Sequence, residues 1–452
     1  MNIQEQVRKP AQNRIARLLL RPFQAFFDAE VTGGVILLCC TALALIWVNS
    51  PFGPLYDALW QTHVMLGIGP FALDEALHFW INDGLMTLFF FQVGLEIKRE
   101  VLVGELSSLR KSALPVIAAL GGMIFPALIF LVFNFNTSAH SGWGISMATD
   151  IAFALGALAL LGSRIPVGLK VFLAAFAIAD DLGAVLVIAL FYNTGIDLLA
   201  LGLAALFLMS LITANMLGIR WRFVYLGLGV CLWLALLRSG IHATLSGVLL
   251  AMTIPARAFI DGHDFVRTGR ELLDEFESCD PGQVGLAMSD EQQAATQALE
   301  VVCEKIQAPL QRLERGLHPW VNFLIMPLFA LSNAGIHLEG NVLSNIVSPV
   351  CLGVVLGLVC GKQIGITLFS WLVVKLGVSE LPERVSWRHI YGASWLGGIG
   401  FTMSLFVSDL AFGAGQEVHI AEAKLGILIA ALLSGAVGCA ILFGCRKEAA
   451  EW

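Results

Sequence analysis

The stretch Leu169–Leu190, LKVFLAAFAIADDLGAVLVIAL, decides the fold class of this chain. As a helix it is long enough to cross the ~30 Å hydrocarbon core of a bilayer, yet two adjacent aspartates, Asp180 and Asp181, lie near its middle. A charged side chain at that depth costs roughly 2.5–3.5 kcal/mol on insertion scales, and such carboxylates typically face water-filled cavities and handle protons or cations. The stretch therefore predicts a transmembrane helix that carries an ion site.

The composition extends this prediction to the whole chain. It is 57% hydrophobic and 13% charged, with a mean hydropathy of +0.79, whereas soluble domains are about 25% charged. We expect a polytopic membrane protein with membrane lipid around it, and no nucleic acid partner. Stretches that approach the length of a membrane span are residues 33–49, 77–100, 113–135, 143–162, 168–192, 197–217, 222–237, 240–254, 319–336, 346–373, 390–412 and 420–444.

The basic residues indicate the orientation of these spans. Most of the 27 Lys and Arg fall in the N-terminal arm, the even-numbered loops or the C-terminal tail, and cytoplasmic loops carry the positive excess. Both termini are therefore predicted to be cytoplasmic. The predicted organisation is an amphipathic surface segment at 1–30, spans one to eight at 31–254, a long cytoplasmic loop at 255–318, spans nine to twelve at 319–445 and a tail at 446–452.

The long loop has the only soluble character in the chain. Helical periodicity over 289–315 predicts a helix at the membrane surface, and residues 279–289, CDPGQVGLAMS, are predicted to be flexible. A solvated charged face and a regulatory role are both open interpretations of this loop.

Two predicted spans contain interruptions. Thr149 and Asp150 lie within the span at 143–162, and the span at 390–412 contains the glycine cluster GGIGFT at 397–402. Interrupted helices at corresponding positions of two halves are typical of inverted-repeat transporters with a site near the midplane. We therefore predict an all-α polytopic membrane protein of about twelve transmembrane helices. Residues 113–192 and 346–444 would form inverted three-helix repeats, and their two interrupted helices would cross near the midplane.

Four charged side chains lie deep in these spans: Asp150, Asp180, Asp181 and Lys362. Neighbouring helical residues point about 100° apart because a turn takes 3.6 residues. One aspartate of the pair is thus expected to line a cavity while the other faces a neighbouring helix, and Lys362 is the natural counter-charge. In the alternative interpretation, this ion pair only holds two helices together.

The oxygen atoms near the breaks suit a hard cation. Thr149, Asp150 and Asp181 could supply them, together with backbone carbonyls freed at a helix break. Sodium and protons would then compete for the same oxygens. Asp150 could instead offset the positive N-terminal ends of the broken helices, and Lys362 their negative C-terminal ends. Both roles remain open at this stage.

No cofactor is expected. The nine cysteines contain no CxxC pair, and no GxxxxGK[ST] motif for ATP occurs.

The chain resembles the NhaA-type Na+/H+ antiporter family. The segments that carry the resemblance run in family order: FFFQVGLEIKRE (89–100), ATDIAFALGALALLGSR (148–164), AIADDLGAVLVIALFY (177–192), SGIHATLSG (239–247), LERGLHPW (313–320), PLFALSNAG (327–335) and GGIGFTMSLF (397–406). The resemblance implies a secondary antiporter of the bacterial inner membrane that is not an enzyme. It would extrude Na+ or Li+ for H+, electrogenically, with two protons per sodium ion, and a homodimer is possible.

The resemblance also implies residue roles. Asp181 would bind Na+ together with Asp180 and Thr149, Asp150 would complete the assembly, and Lys362 would pair with Asp180. Four further positions are implied in the response to pH: Glu96, His242, Glu314 and His318. Simpler interpretations remain for these four: a salt bridge at a helix end for Glu96, packing for His242, a surface ion pair for Glu314 and a helix cap for His318.

Other functions fit the residues less well. A Na+-coupled symporter of an organic solute on the same fold is the alternative, and it requires a roomy pocket. An intramembrane aspartyl protease would need two carboxylates that share a proton, but the chain has no GxGD-like motif and places a lysine beside the pair. A passive channel suits crossing broken helices poorly.

Overall fold

The computed structural model describes residues 32–445 apart from 68–71, 194, 220, 258–259, 279–289, 338–344 and 414. The predicted surface segment at 1–30, the flexible stretch at 279–289 and the tail at 446–452 lie outside the described residues.

Helices make up most of the described chain. In order they are α1 Thr32–Val48, α2 Gly53–Trp60, α3 Met86–Val103, α4 Leu109–Asn134, α5 Ile151–Leu160, α6 Val167–Phe191, α7 Leu198–Met216, α8 Arg222–Ser239, α9 Leu245–Thr253, α10 Gly262–Ser278, α11 Asp290–Ile306, α12 Pro309–Trp320, α13 Met326–Asn333, α14 Pro349–Leu356, α15 Lys362–Lys375, α16 Trp387–Leu396, α17 Phe401–Phe412 and α18 Glu417–Phe443.

Shorter elements join the helices. A single turn, Leu77–Phe79, and a wide π turn, Trp80–Leu85, lead into α3; further π turns connect α12 to α13 at Val321–Ile325 and α14 to α15 at Gly357–Gly361. Turns of 3₁₀ helix lie at Glu105–Ser107, His140–Gly144 and Gly162–Arg164. Strands β1 His63–Leu66 and β2 Leu73–Ala76 pair antiparallel, with His63 opposite Ala76.

The predicted apolar stretches coincide with helical segments throughout the described chain. Among the described residues, six helices can cross a membrane by length and composition, or up to eight when each bent pair counts as one span. The span predicted at 143–162 is helical only from Ile151 onward, and that at 390–412 divides into α16 and α17, which are bent by 46°. Both interruptions therefore lie where the sequence predicts them.

Two predictions outside the spans need correction. The single helix predicted at 289–315 is divided into α11 and α12, because Pro309 occupies the first turn of a new helix and lacks the N–H that a helix interior requires. The β-hairpin was not predicted, since its strands are only four residues long and apolar and polar residues alternate only weakly along them.

A close backbone contact positions the charged residues of the interior. Helix α4 packs against α6 on one side and α15 on the other. A Cβ atom at Gly121 of α4 would collide with the carbonyl oxygen of Gly365 of α15, and the reverse also holds. The absence of side chains at both positions therefore brings Lys362, one turn before Gly365, next to the aspartates of α6.

The helices form two groups that meet along a seam. The first group contains α4–α6 and α14–α18, and the second contains α3, α7–α9 and α12–α13. Helix α3 of the second group contacts α6, and α13 contacts α17. We call this boundary the seam; the residues at the helix breaks face it.

Candidate functional site

The two interrupted segments are hydrogen-bonded to each other at their breaks. The Asp150 amide donates to the Ile399 carbonyl at 2.7 Å, and the Thr149 hydroxyl donates to the Gly397 carbonyl at 2.8 Å. An interrupted helix leaves backbone groups without their usual partners, and such groups must be satisfied where water is excluded. Here each break supplies hydrogen-bond partners for some of the free backbone groups of the other.

Asp150 lies between the N-termini of two helices. It is the N-cap of α5, where its carboxylate accepts from the Phe153 amide at 3.2 Å. The other carboxylate oxygen accepts from the Thr402 amide of α17 at 3.1 Å and from the Thr402 hydroxyl. Because helix N-termini carry partial positive charge, this geometry gives Asp150 the structural role that the sequence left open. It does not exclude contact with an ion.

Asp180 and Lys362 form a fully buried ion pair. The Lys362 ammonium is 2.6 Å from Asp180 Oδ2 and donates to the Thr149 hydroxyl at 2.9 Å, and the side chains of both charged residues are 0% exposed. The pair therefore links α15 to α6 and to the break before α5. The ammonium contacts a carboxylate and a hydroxyl, and among the described residues no hydrogen bond joins it to the helix C-terminal carbonyls that the sequence analysis considered.

Asp181 faces a cavity instead. The cavity has a volume of about 50 Å³, and its lining includes Asp181, Asp150 and Thr402. Asp181 Oδ1 is buried and has no hydrogen-bond partner among the residues that the structure describes. The two adjacent aspartates thus have the different environments that helical geometry predicts: one faces a neighbouring helix and the other faces the cavity.

The cavity extends along α3 toward basic residues. Its lining on that helix includes Phe89, Gln92 and Glu96, a run of about 10 Å at 1.5 Å per residue. Lys98 and Arg99 follow at once. We call this the inner end, after the cytoplasmic orientation that the sequence predicts for basic loops.

The predicted sodium ligands are only partly brought together. In this structure Asp180 Oδ2 and the Thr149 hydroxyl both accept hydrogen bonds from Lys362, and neither residue is among those that line the cavity. Asp150 and Asp181 do line it. Thr402 also lines it and was not predicted as a site residue, although it ends the quoted GGIGFT cluster.

Three of the four predicted pH-response residues gather at the inner end. Glu96 and His318 line the cavity, and Glu314 accepts from Arg99 Nε at 2.9 Å. Gln92, another unpredicted lining residue, donates to Glu96 at 2.8 Å. His242 lies apart from them, in the turn between α8 and α9 near the backbone of Tyr192 at the opposite end of α6.

The Arg99–Glu314 pair is partly buried between α3 and α12. The side chains are 35% and 17% exposed, respectively. Burial raises the pKa of the Glu314 carboxyl, and the neighbouring Arg99 guanidinium opposes this effect. The simple surface ion pair considered from sequence is therefore a contact that joins two helices.

Comparisons with known proteins extend over nearly the whole chain. A family model described as Na+/H+ antiporter 1 matches residues 24–442. The Na(+)/H(+) antiporter NhaA of Koribacter versatilis is 52% identical over 426 residues, covering 94% of this chain and 92% of the relative. The protein of the same name from Oleidesulfovibrio alaskensis is 51% identical over 419 residues, covering 92% of each.

A third relative, Na(+)/H(+) antiporter NhaA of Acidithiobacillus ferrooxidans, is 49% identical over 440 residues, covering 95% of this chain and 99% of the relative. Among solved structures, a sodium proton antiporter of Methanocaldococcus jannaschii aligns with a TM-score of 0.49 and 12% identity, covering 94% of this chain and 100% of that chain.

Proposed function

The chain belongs to the Na+/H+ antiporter 1 family and is a membrane transporter that exchanges Na+ for H+, and we propose that the exchange takes place at Asp181 in the cavity on the seam. One observation carries the proposal. Asp181 Oδ1 is buried against the cavity without a hydrogen-bond partner among the described residues. A buried carboxylate oxygen without a partner is costly unless a proton or a cation binds to it, and of the two adjacent aspartates only Asp181 lines the cavity from which an ion could reach that oxygen.

The cavity volume favours a bare ion as the cargo. About 50 Å³ accommodates a few water molecules, each of which needs about 10–15 Å³ of such volume, whereas pockets for small organic ligands typically measure about 300–1,000 Å³. The size argues against a sodium-coupled organic solute symporter.

Competition for Asp181 gives the exchange its mechanism. Asp181, Asp150 and Thr402 line the cavity, and their side-chain oxygen atoms are of the kind that hard cations prefer. A proton that binds to Asp181 removes the charge that holds Na+, and Na+ that binds to Asp181 displaces the proton. The hydrogen bonds of Asp150 to two helix starts keep its carboxylate in place, so Asp181 is the carboxylate that changes partner.

We further propose that transport is electrogenic, with two protons per sodium ion, as the family resemblance implies. The Asp180–Lys362 pair would supply the second titratable group, since its ammonium is 2.6 Å from the carboxylate adjacent in sequence to Asp181. In this scheme Asp180 and Thr149 join Asp181 as sodium ligands only after Lys362 withdraws from them. Li+ would bind to the same oxygens.

The membrane arrangement is part of the proposal. Twelve spans, inverted three-helix repeats and both termini on the cytoplasmic side of a bacterial inner membrane agree with the apolar stretches and the basic loops. Glu96, Glu314 and His318 are proposed to tune the response to pH at the inner end. The implied roles of His242 and of a homodimer stay predictions.

The test uses inverted membrane vesicles with an internal pH dye. Added NaCl should release the proton gradient when the wild-type protein is present and should fail to do so with Asp181→Asn. The matched control is Asp197→Asn, because Asp197 is the N-cap of α7 and asparagine caps a helix as well as aspartate. Exchange by Asp181→Asn at the wild-type rate would refute the site.

A further inference from the structure

A second polar cluster lies on the same seam as the cavity, beyond its opposite end. Asn82 Nδ2 donates to Asp409 Oδ2 at 3.2 Å and to Asn333 Oδ1 at 3.3 Å, and Asn333 Nδ2 donates back to Asn82 Oδ1 at 2.8 Å. His78 Nε2 lies 3.1 Å from Asn333 Oδ1, and Lys424 Nζ lies 3.8 Å from Asp409 Oδ1. We call these five residues the outer cluster.

The outer cluster joins the two groups of helices. Asn82 and His78 precede α3, and Asn333 ends α13, so these three residues belong to the group that contains α3. Asp409 on α17 and Lys424 on α18 belong to the group that carries the aspartates of α6. Among the described residues of the outer cluster, the hydrogen bond that crosses the seam is the one from Asn82 to Asp409, and His78 also interacts electrostatically with Asp409 across it.

Three helices place the outer cluster at a consistent distance from the cavity. Along the chain, Asn82 precedes the lining residue Gln92, Asn333 follows Met326 and Asp409 follows Thr402. At 1.5 Å per residue these separations correspond to about 10–15 Å. On α3 the direction is away from Lys98 and Arg99, so the outer cluster lies on the side opposite the inner end.

An aromatic layer separates the cluster from the cavity. The ring of Phe406 on α17 lies 5.3 Å from Phe90 of α3 and 6.3 Å from Phe329 of α13. In sequence Phe329 and Phe406 each lie between the cavity residue and the outer-cluster residue of their own segment, and Phe90 is next to the lining residue Phe89. The side chains of all three ring residues are at most 2% exposed, so the rings exclude water from this part of the seam.

We infer that the outer cluster and the aromatic layer form the closed outer gate of the transporter. The Asn82–Asp409 bond must then break before an ion at Asp181 can leave toward the outside. Asn82 and Asp409 are positioning residues for outward release, and they do not contact the ion. The inference rests on the proposed exchange at Asp181, because an outer gate has meaning only if the cavity holds the cargo.

The gate makes a prediction that depends on the side of the membrane. A protein that alternates between two states binds a ligand with an apparent affinity reduced by the fraction of the competent state. Asn82→Ala removes the bond across the seam, so it should increase the outward-facing fraction. We expect the KM for Na+ to fall about threefold or more at the outer face and to rise only slightly at the cytoplasmic face, because a closed outer gate makes the inward-facing fraction large from the start.

The experiment measures Na+-dependent proton flux in inverted and in right-side-out vesicles. Asn49→Ala is the matched control, because Asn49 is also an asparagine that joins two segments, donating to the carbonyl oxygens of Leu45 and of Ile336, which follows α13. The control should leave both KM values unchanged. Parallel shifts of the two KM values in Asn82→Ala, or no shift, would overturn the gate.

A double cysteine variant tests the gate if Asn82→Ala fails to fold. In the double variant Asn82→Cys, Asp409→Cys, Cd2+ should bridge the two thiolates and stop exchange, and a chelator should restore it. Each single cysteine variant, which keeps the natural cysteines of the chain, should show no inhibition by Cd2+. Full activity of the double variant in Cd2+ would refute a gate that has to separate.

The two proposals fail in different ways. The exchange proposal is refuted if wild type and Asp181→Asn show equal flux. The gate proposal alone is refuted if wild-type exchange requires Asp181 but the two KM values of Asn82→Ala stay unchanged or shift in the same direction.

Discussion

The buried pair of Lys362 and Asp180 allows a stability effect to be worked out from the structure. Lys362→Met leaves a carboxylate that is 0% exposed without the ammonium now 2.6 Å away. Removing one partner of such a pair costs about 3–5 kcal/mol, whereas replacing both partners by apolar groups of similar volume is often neutral or stabilising. Lys362→Met should therefore be much less stable than wild type, and Lys362→Met with Asp180→Leu should recover most of the loss.

The assay is thermal unfolding of the purified protein in detergent, followed by the fluorescence of its 11 tryptophans. The entropy of unfolding is about 2.1 cal/mol/K per residue, so for 452 residues a loss of 1 kcal/mol lowers the midpoint by about 1 °C. The single variant should therefore lower the midpoint by about 3–5 °C. Lys375→Met is the control on the same helix, since Lys375 is exposed and lies 4.4 Å from the Trp371 ring; the loss there should be about 1 kcal/mol or less.

A double variant as unstable as the sum of its two single variants would refute the reasoning, because the cost would then not come from an unpaired charge. An unchanged midpoint for Lys362→Met would refute it as well.

Three further predictions concern the surroundings of the site. Asp150→Ala should lose about 1–2 kcal/mol of stability through its N-cap bond, while Asp150→Asn should lose less, as measured by thermal midpoints; equal losses would contradict the cap. Gly365→Ala should cost about 1–3 kcal/mol through its contact with Gly121, whereas Gly202→Ala, with open space around it, should gain about 0.5–1 kcal/mol. Glu314 has its pKa raised by burial from an ordinary 4.5, so its folded-state proton contributes stability that is full below that value and is lost as the pH rises through the raised pKa. Relative to Glu314→Gln, the wild-type midpoint should therefore fall as the pH rises above the ordinary value of 4.5, and parallel pH profiles would exclude this effect.

Sequence reasoning succeeded where a signal is local or carries a large energy. Apolar stretches mark helices because a bilayer leaves few other structures available to the backbone. Glycines and polar residues inside such stretches mark the breaks. A deep lysine requires a carboxylate, and the predicted contact of Lys362 with Asp180 is present at 2.6 Å.

Contacts that depend on tertiary arrangement could not be read in this way. Thr402 contacts Asp150 across 252 positions of sequence, and no local pattern indicates that the two breaks satisfy each other. The tie between Asn82 and Asp409 spans 327 positions and was missed for the same reason. The break between α11 and α12 had a signal in Pro309, but the periodicity of the apolar residues continued through it.

The contact between Gly121 and Gly365 has a consequence for altering ion preference. Because neither position tolerates a methyl group without displacement of a backbone, the contact of α4 with α15 that holds Lys362 beside Asp180 is intolerant of redesign. The wall of the cavity where Phe89 and Met403 lie is formed by side chains that can be exchanged for others of different volume. A library that aims to separate lithium from sodium transport should vary that wall and leave the glycines unchanged.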